Sequence, residues 1–240
     1  MAVASFEKRH FGTTAMIDTS MDARVRRTYW LAIAFALAAA CALAIDVPVA
    51  KFCRPHADGK YSLPGDMRKL VSLAEVFSHG TGVALIVVSL FVLDRTRRRA
   101  VPRLLASAFG AGLVANWMKL FVARIRPHHF DFQGDVWSTF SGAKSLGEVD
   151  AVIQSFPSGH TATAVGLAAA LAGLYPHGRW LFATFALLAA LQRIEAGAHY
   201  PSDTLAAAAL GCLFAAACRD PRCLGRWFDR WENRGTQPAN

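Results

Sequence analysis

The chain has 240 residues, 54% hydrophobic and 18% charged, with 26 Lys and Arg against 17 Asp and Glu and a formal net charge of +9. The apolar residues gather in blocks, and the basic residues flank those blocks instead of forming a stripe. This argues against a nucleic-acid partner and for a helical membrane protein. Cys41, Cys53, Cys212, Cys218 and Cys223 form no CxxC pair and no Cys/His metal spacing, so neither a structural disulfide nor a zinc site is expected.

Residues 1–28 are polar and irregular and lack the apolar core of a signal peptide. They read as a mobile cytoplasmic tail, with Met16 and Met21 as alternative starts. Six apolar blocks follow, over residues 29–45, 70–93, 103–122, 160–175, 179–198 and 203–218. Each is near the roughly 20 residues that a helix needs to cross hydrocarbon, the fourth and sixth being short. The expected fold class is therefore all-α: an integral membrane bundle of six transmembrane helices over 29–218, then a basic cytoplasmic tail over 219–240. Ala and Gly are abundant in the last three blocks, as close helix packing in lipid requires. With the N-terminus inside, most Lys and Arg fall on the inner side, including Arg95, Arg97, Arg98, Arg99 and Arg103 and the arginines after 218. The bias predicts both termini in the cytoplasm of a multi-pass inner-membrane protein.

That topology sends three polar clusters to the outer face. Lys119 and Arg126 lie seven residues apart, about two helical turns on one face, which is costly near lipid unless an anion sits between them. Ser158, Gly159 and His160 open the fourth block, where a helix N-terminus offers unpaired N–H groups and a positive dipole end to an anion. Arg193 ends the fifth block, His199 lies in the following turn, and Asp203 comes four residues later, one turn from the imidazole. Three cations, backbone donors, two histidines and a carboxylate suit phosphoryl transfer. Clustered Asp or Glu for a divalent metal is missing from the pattern. Charge stabilisation then falls to Lys119, Arg126 and Arg193, and a side-chain nucleophile is expected, with no metal or other cofactor.

The motifs KLFVARIRP (119–127), PSGH (157–160) and QRIEAGAHYPSD (192–203) resemble the signature of the phosphatidic acid phosphatase type 2 / haloperoxidase superfamily: K-x6-R-P, P-S-G-H and S-R-x5-H-x3-D. The spacing matches throughout, and the only departure is Gln192 in place of Ser. The resemblance implies that His199 is the nucleophile, forming a phosphohistidine, and that Asp203 orients it. It makes His160 the general acid and then the base. Lys119, Arg126, Ser158, Gly159 and Arg193 would bind the phosphoryl oxygens. The implied substrate is a membrane lipid carrying a phosphomonoester or diphosphate, of the phosphatidate, phosphatidylglycerophosphate, isoprenyl diphosphate or lipid A type, met at the outer leaflet. A phosphotransferase using the same phosphohistidine and a non-catalytic lipid-binding or transport protein are the alternatives. Outside the motifs, His128 and His129 read as loop residues, Glu75 and His79 as a buried pair, and Glu195 as a partner for a cation.

Overall fold

The computed structural model describes residues 4–54, 64–141 and 150–233. Its elements are α1 (Ala4–Ala42), α2 (Asp46–Cys53), α3 (Gly65–Leu73), α4 (Gly80–Leu93), α5 (Val101–Met118), α6 (Gly159–Leu174), α7 (Arg179–Glu195), α8 (Pro201–Ala217) and α9 (Gly225–Asn233), joined by short 3-10 turns. No strand occurs among the described residues, only two isolated bridges at Arg124. The class is all-α, as expected.

The six expected spans are only partly recovered. Among the described residues, one stretch is long and apolar enough to cross a membrane by itself, Ala23–Ala42, near the N-terminus. The second block is broken: α3 with its 3-10 turn and α4 meet at a 65° bend. The sequence SHGTG at 78–82 is poor in helix formers, and the fold uses the break. A Cβ on Gly82 would lie 1.7 Å from the Val76 carbonyl oxygen, so only glycine lets α4 return so closely beneath the turn. The helices α6 and α8 are apolar but only 16 and 17 residues long. The first block is the C-terminal part of α1, which begins at Ala4; no proline interrupts that stretch.

Helix α6 is the hub, packed against α5, α7 and α8, and α1 lies along α8. Its buried face is built from Ala162, Ala164, Leu167, Ala168 and Leu171, small enough for backbones to approach closely. Large apolar residues instead face outward, among them Leu37, Leu85, Leu93, Leu113 and Leu213. All six tryptophans are exposed. Trp30, Trp180, Trp227 and Trp231 belong to the end of the bundle that holds the start of α5 and α9, and Trp117 and Trp137 to the other. After 218 the chain forms α9, which is amphipathic: Phe228 is buried, and Arg103 of α5 pairs with Asp229 at 2.5 Å and with Glu232 at 3.0 Å.

Replacing Gly82 with Ala drives a methyl group into the Val76 carbonyl. The detergent-solubilised variant is expected to lose about 1–3 kcal/mol of stability, the usual cost of overpacking, read as a lower thermal midpoint. A midpoint equal to the parent's would contradict the packing described for the break.

Candidate active site

Residues from four parts of the chain meet at the end of α5 opposite Arg103. Lys119 caps the C-terminus of α5 and is buried. The chain then runs extended: the Arg124 N–H donates to the Ile153 carbonyl at 2.9 Å, Ile125 to Thr139 at 2.8 Å and Arg126 to Val152 at 2.8 Å. This seam ties residues 124–126 to Thr139, Val152 and Ile153 and delivers Arg126 beside Lys119. Ser158 is the N-cap of α6, with its Oγ accepting from Thr161 N–H at 3.4 Å and Thr161 Oγ1–H at 3.0 Å. A Cβ on Gly159 would stand 2.7 Å from Asn116 Oδ1, so a larger residue there would have to displace the Asn116 amide. His160 lies in the first turn of α6, Arg193 in the last turn of α7, His199 in the turn after it and Asp203 in the first turn of α8.

Lys119, Arg126, Gly159, His160, Arg193 and His199 line one cavity of about 640 Å³. Ser158 is fully buried at its edge as a cap, and Asp203 lies fully buried behind His199. The Nε atoms of Arg126 and Arg193 are buried and have no hydrogen-bond partner among the described residues. No ion pair among those residues involves Lys119 or Arg126. Converging cations with unmet donors define an anion site. Below the cations the cavity continues along α5 past Leu113 and Phe109 to Leu105.

The His199–Asp203 pairing differs in detail from the spacing argument. His199 Nδ1 is 2.6 Å from the Ser155 carbonyl oxygen and 3.8 Å from Asp203 Oδ2. A carbonyl only accepts, so Nδ1 carries the proton and Nε2 is the unprotonated nitrogen. Burial pushes the imidazole below its ordinary range, against the upward pull of Asp203. Asp203 itself accepts from Arg124 Nη1 at 2.5 Å, Ser155 Oγ at 2.5 Å and the Tyr200 N–H at 2.9 Å.

Glu75, on the turn before α4, pairs with Arg193 at 3.1 Å and accepts from Gln192 Nε2 at 3.3 Å. It does not pair with His79, whose Nδ1 lies 2.9 Å from Thr81 Oγ1 and whose ring sits 6.2 Å from that of His160. Gln192 is buried, and its Oε1 accepts from Arg193 at 3.2 Å. Where the motif has Ser, this chain thus has an amide turned toward Glu75 and Arg193. Glu195 finds its cation in Arg68. His128 and His129 are exposed, with their rings in contact and tilted at 48°, and His128 Nδ1 donates to the Gly197 carbonyl at 2.7 Å, steadying the turn that carries His199. Sequence reasoning missed Arg124, Asp46, Ser155 and Ser202. Among the described residues, no group of three or more His, Cys, Asp or Glu is placed to hold a metal ion.

The arrangement gathers three cations and two histidines around one cavity, with a buried carboxylate behind one of the histidines. The family model of the PAP2 superfamily matches residues 100–220, and the chain belongs to that superfamily as a phosphatase. It is 32% identical over 206 residues to a lipid A 1-phosphatase of Rhizobium etli, covering 78% of this chain and 82% of that protein. It is 36% identical over 135 residues to a lipid A 1-phosphatase of Rhizobium johnstonii, of which the match spans 52%. A crystal structure of Aquifex aeolicus LpxE shares the fold at 21% identity and a TM-score of 0.50, over 64% of this chain and 86% of that one.

Glu75 competes with any incoming anion for Arg193. In Glu75→Gln the competition is removed, and inorganic phosphate should inhibit turnover roughly threefold to tenfold more tightly, the scale of one partly exposed charge pair. Weaker inhibition would mean that Glu75 holds Arg193 in place for phosphate instead of competing with it.

Proposed function

We propose that this protein is an integral-membrane lipid phosphatase that removes a phosphate from a lipid through a phosphohistidine on His199. The observation that carries the reading is the cavity itself, where unpaired buried donors of Arg126 and Arg193 stand with Lys119, His160 and His199 above an apolar slot. From Lys119 to Leu105 the slot follows α5 for about 21 Å, at 1.5 Å per residue. A phosphate held by the cations would leave its lipid tail along that wall. Exposed leucines around the bundle and tryptophans toward both ends suit a lipid surround with two interfaces. The arginines at 95–103 and on α9 lie at the end opposite the site, which supports cytoplasmic termini and a site on the outer face. Among lipid phosphates, the names of the similar Rhizobium proteins favour the 1-phosphate of lipid A.

Chemically, Lys119, Arg126 and Arg193 neutralise the equatorial oxygens. His199 Nε2 forms the N–P bond while the bond from phosphorus to the leaving oxygen breaks. His160 gives its proton to that oxygen. A water then attacks phosphorus, its proton passes to His160, the N–P bond breaks, and inorganic phosphate leaves with the histidine restored. A lowered His199 keeps the ring neutral, hence nucleophilic, at neutral pH.

Purified protein in detergent with chelator should release phosphate from lipid A, phosphatidate or an isoprenyl diphosphate, with lipid A preferred. His199→Ala should lower turnover by about a thousandfold or more while the variant stays folded. Release only when an acceptor lipid is present would instead identify a phosphotransferase. As pH falls, kcat/KM should hold or rise, as His160 gains the proton it must donate, until protonation of His199 lowers it below about 6.5, the ordinary imidazole value, because burial delays that protonation. A loss of activity already on descending from pH 8 to 7 would overturn the assignment of His199 as the neutral nucleophile.

A further inference from the structure

Behind His199 lies a chain of buried charge that the phosphate site does not use. Arg124 is fully buried. Its Nη1 donates to Asp203 at 2.5 Å and to Ser202 Oγ at 2.7 Å, and its Nη2 donates to Asp46 at 2.6 Å. The guanidinium is stacked between two rings, 4.5 Å from the Phe140 centroid and 4.1 Å from that of Tyr200. Asp46 is equally buried, and accepts from the Ser202 N–H at 2.9 Å and from the Ser202 hydroxyl. The cluster thus runs from Asp46 at the start of α2, through Arg124, to Asp203 behind the imidazole.

The charge count is what matters. The ring of an imidazole phosphorylated on Nε2 and protonated on Nδ1 is positively charged; the phosphoryl oxygens it carries face Lys119, Arg126 and Arg193, and the buried ring itself needs a compensating negative charge on its Nδ1 side. Asp203 alone would provide it, but Asp203 is bound by Arg124, and the two together are neutral. Asp46 restores a net charge of minus one to the cluster. The geometry points to Asp46 and Arg124 as positioning residues: Arg124 fixes Asp203 in register with His199, and Asp46 offsets Arg124 so that Asp203 keeps its full effect on the phosphohistidine. The inference rests on the reading of His199 as nucleophile. Neither residue lines the cavity that holds the phosphate.

The test uses the full chain in detergent with a lipid phosphate substrate. Asp46→Asn preserves shape and one of the two acceptor oxygens but makes the cluster neutral. It should lower kcat by roughly tenfold or more, the equivalent of one pKa unit of lost charge stabilisation, with KM within about twofold of the parent value. Adding Arg124→Gln to Asp46→Asn returns the cluster to minus one and should recover part of that kcat. A purely structural role predicts the double variant to be worse than the single one, and that result overturns the inference, as does a parental kcat in Asp46→Asn. Should the single variant not be recovered folded, the double variant decides: kcat within about tenfold of the parent supports the charge argument, and a larger loss at unchanged KM overturns it. His199→Ala separates the two levels. Turnover surviving in His199→Ala removes the nucleophile reading, whereas turnover lost there but unchanged in Asp46→Asn removes this inference alone.

Discussion

A guanidinium with no exposed surface, held between two carboxylates and two aromatic rings, is the joint on which the site is assembled. Removing one partner from such a buried pair typically costs about 3–5 kcal/mol, because the remaining charge is left without compensation. Arg124 touches Ile153 and Ser155 through its backbone, α2 through Asp46 and α8 through Asp203 and Ser202. Parts of the chain far apart in sequence are thereby set relative to one another before any substrate binds. Planarity explains the choice of Arg: five donors in a fixed fork reach both acids and a hydroxyl while the faces stay stacked, which a lysine cannot do.

The phosphate site has the opposite economy. Lys119, Arg126 and Arg193 face a shared cavity and repel each other, and two of them keep buried donors unmet. Such a site is destabilising when empty and is tolerated where the surrounding structure over-determines it. Here the restraint is visible. The backbone seam at 124–126 fixes one cation and the end of α5 another, while the third contacts Glu75 and Gln192. Glu75, which pairs with Arg193, lies on the 3-10 turn at the break, next to the 65° bend.

Much of the chemistry was legible in the sequence because the motifs stand at helix ends, where position follows from topology alone. Lys119, Arg126, His160, Arg193 and His199 were separated along the chain yet assigned to one face, and they line one cavity. The second layer was not legible. Asp46 looks like an ordinary polar residue closing an apolar block, and Arg124 looks like one more loop cation. Their pairing depends on how α2 packs against α8, which no local pattern encodes. The Nδ1 partner was likewise hidden: it is a backbone carbonyl, of Ser155, and a carbonyl carries no residue identity. Hydropathy also overran the true helices. In the second block the apolar residues continue across SHGTG, so composition reports one segment where helix propensity and the contact at Gly82 make two.

The short central helices bear on where the chemistry can occur. Helices of 16 and 17 residues, as α6 and α8 are, span about 24–26 Å at 1.5 Å per residue, less than the roughly 30 Å of a typical hydrocarbon core. Their N-termini carry His160 and Asp203. On the proposed membrane topology, ends that stop short lie just inside the headgroup boundary, where the cations around them need the cavity's polar lining or an anion instead of hydrocarbon. A lipid phosphate already sits at that depth. It needs only to move sideways into the slot beside α5, while a soluble phosphate would have to approach from water and leave the apolar half of the cavity unfilled. On that proposed topology, helix length, set by the cap at Ser158 and by Pro201 at the first position of α8, favours membrane-resident substrates.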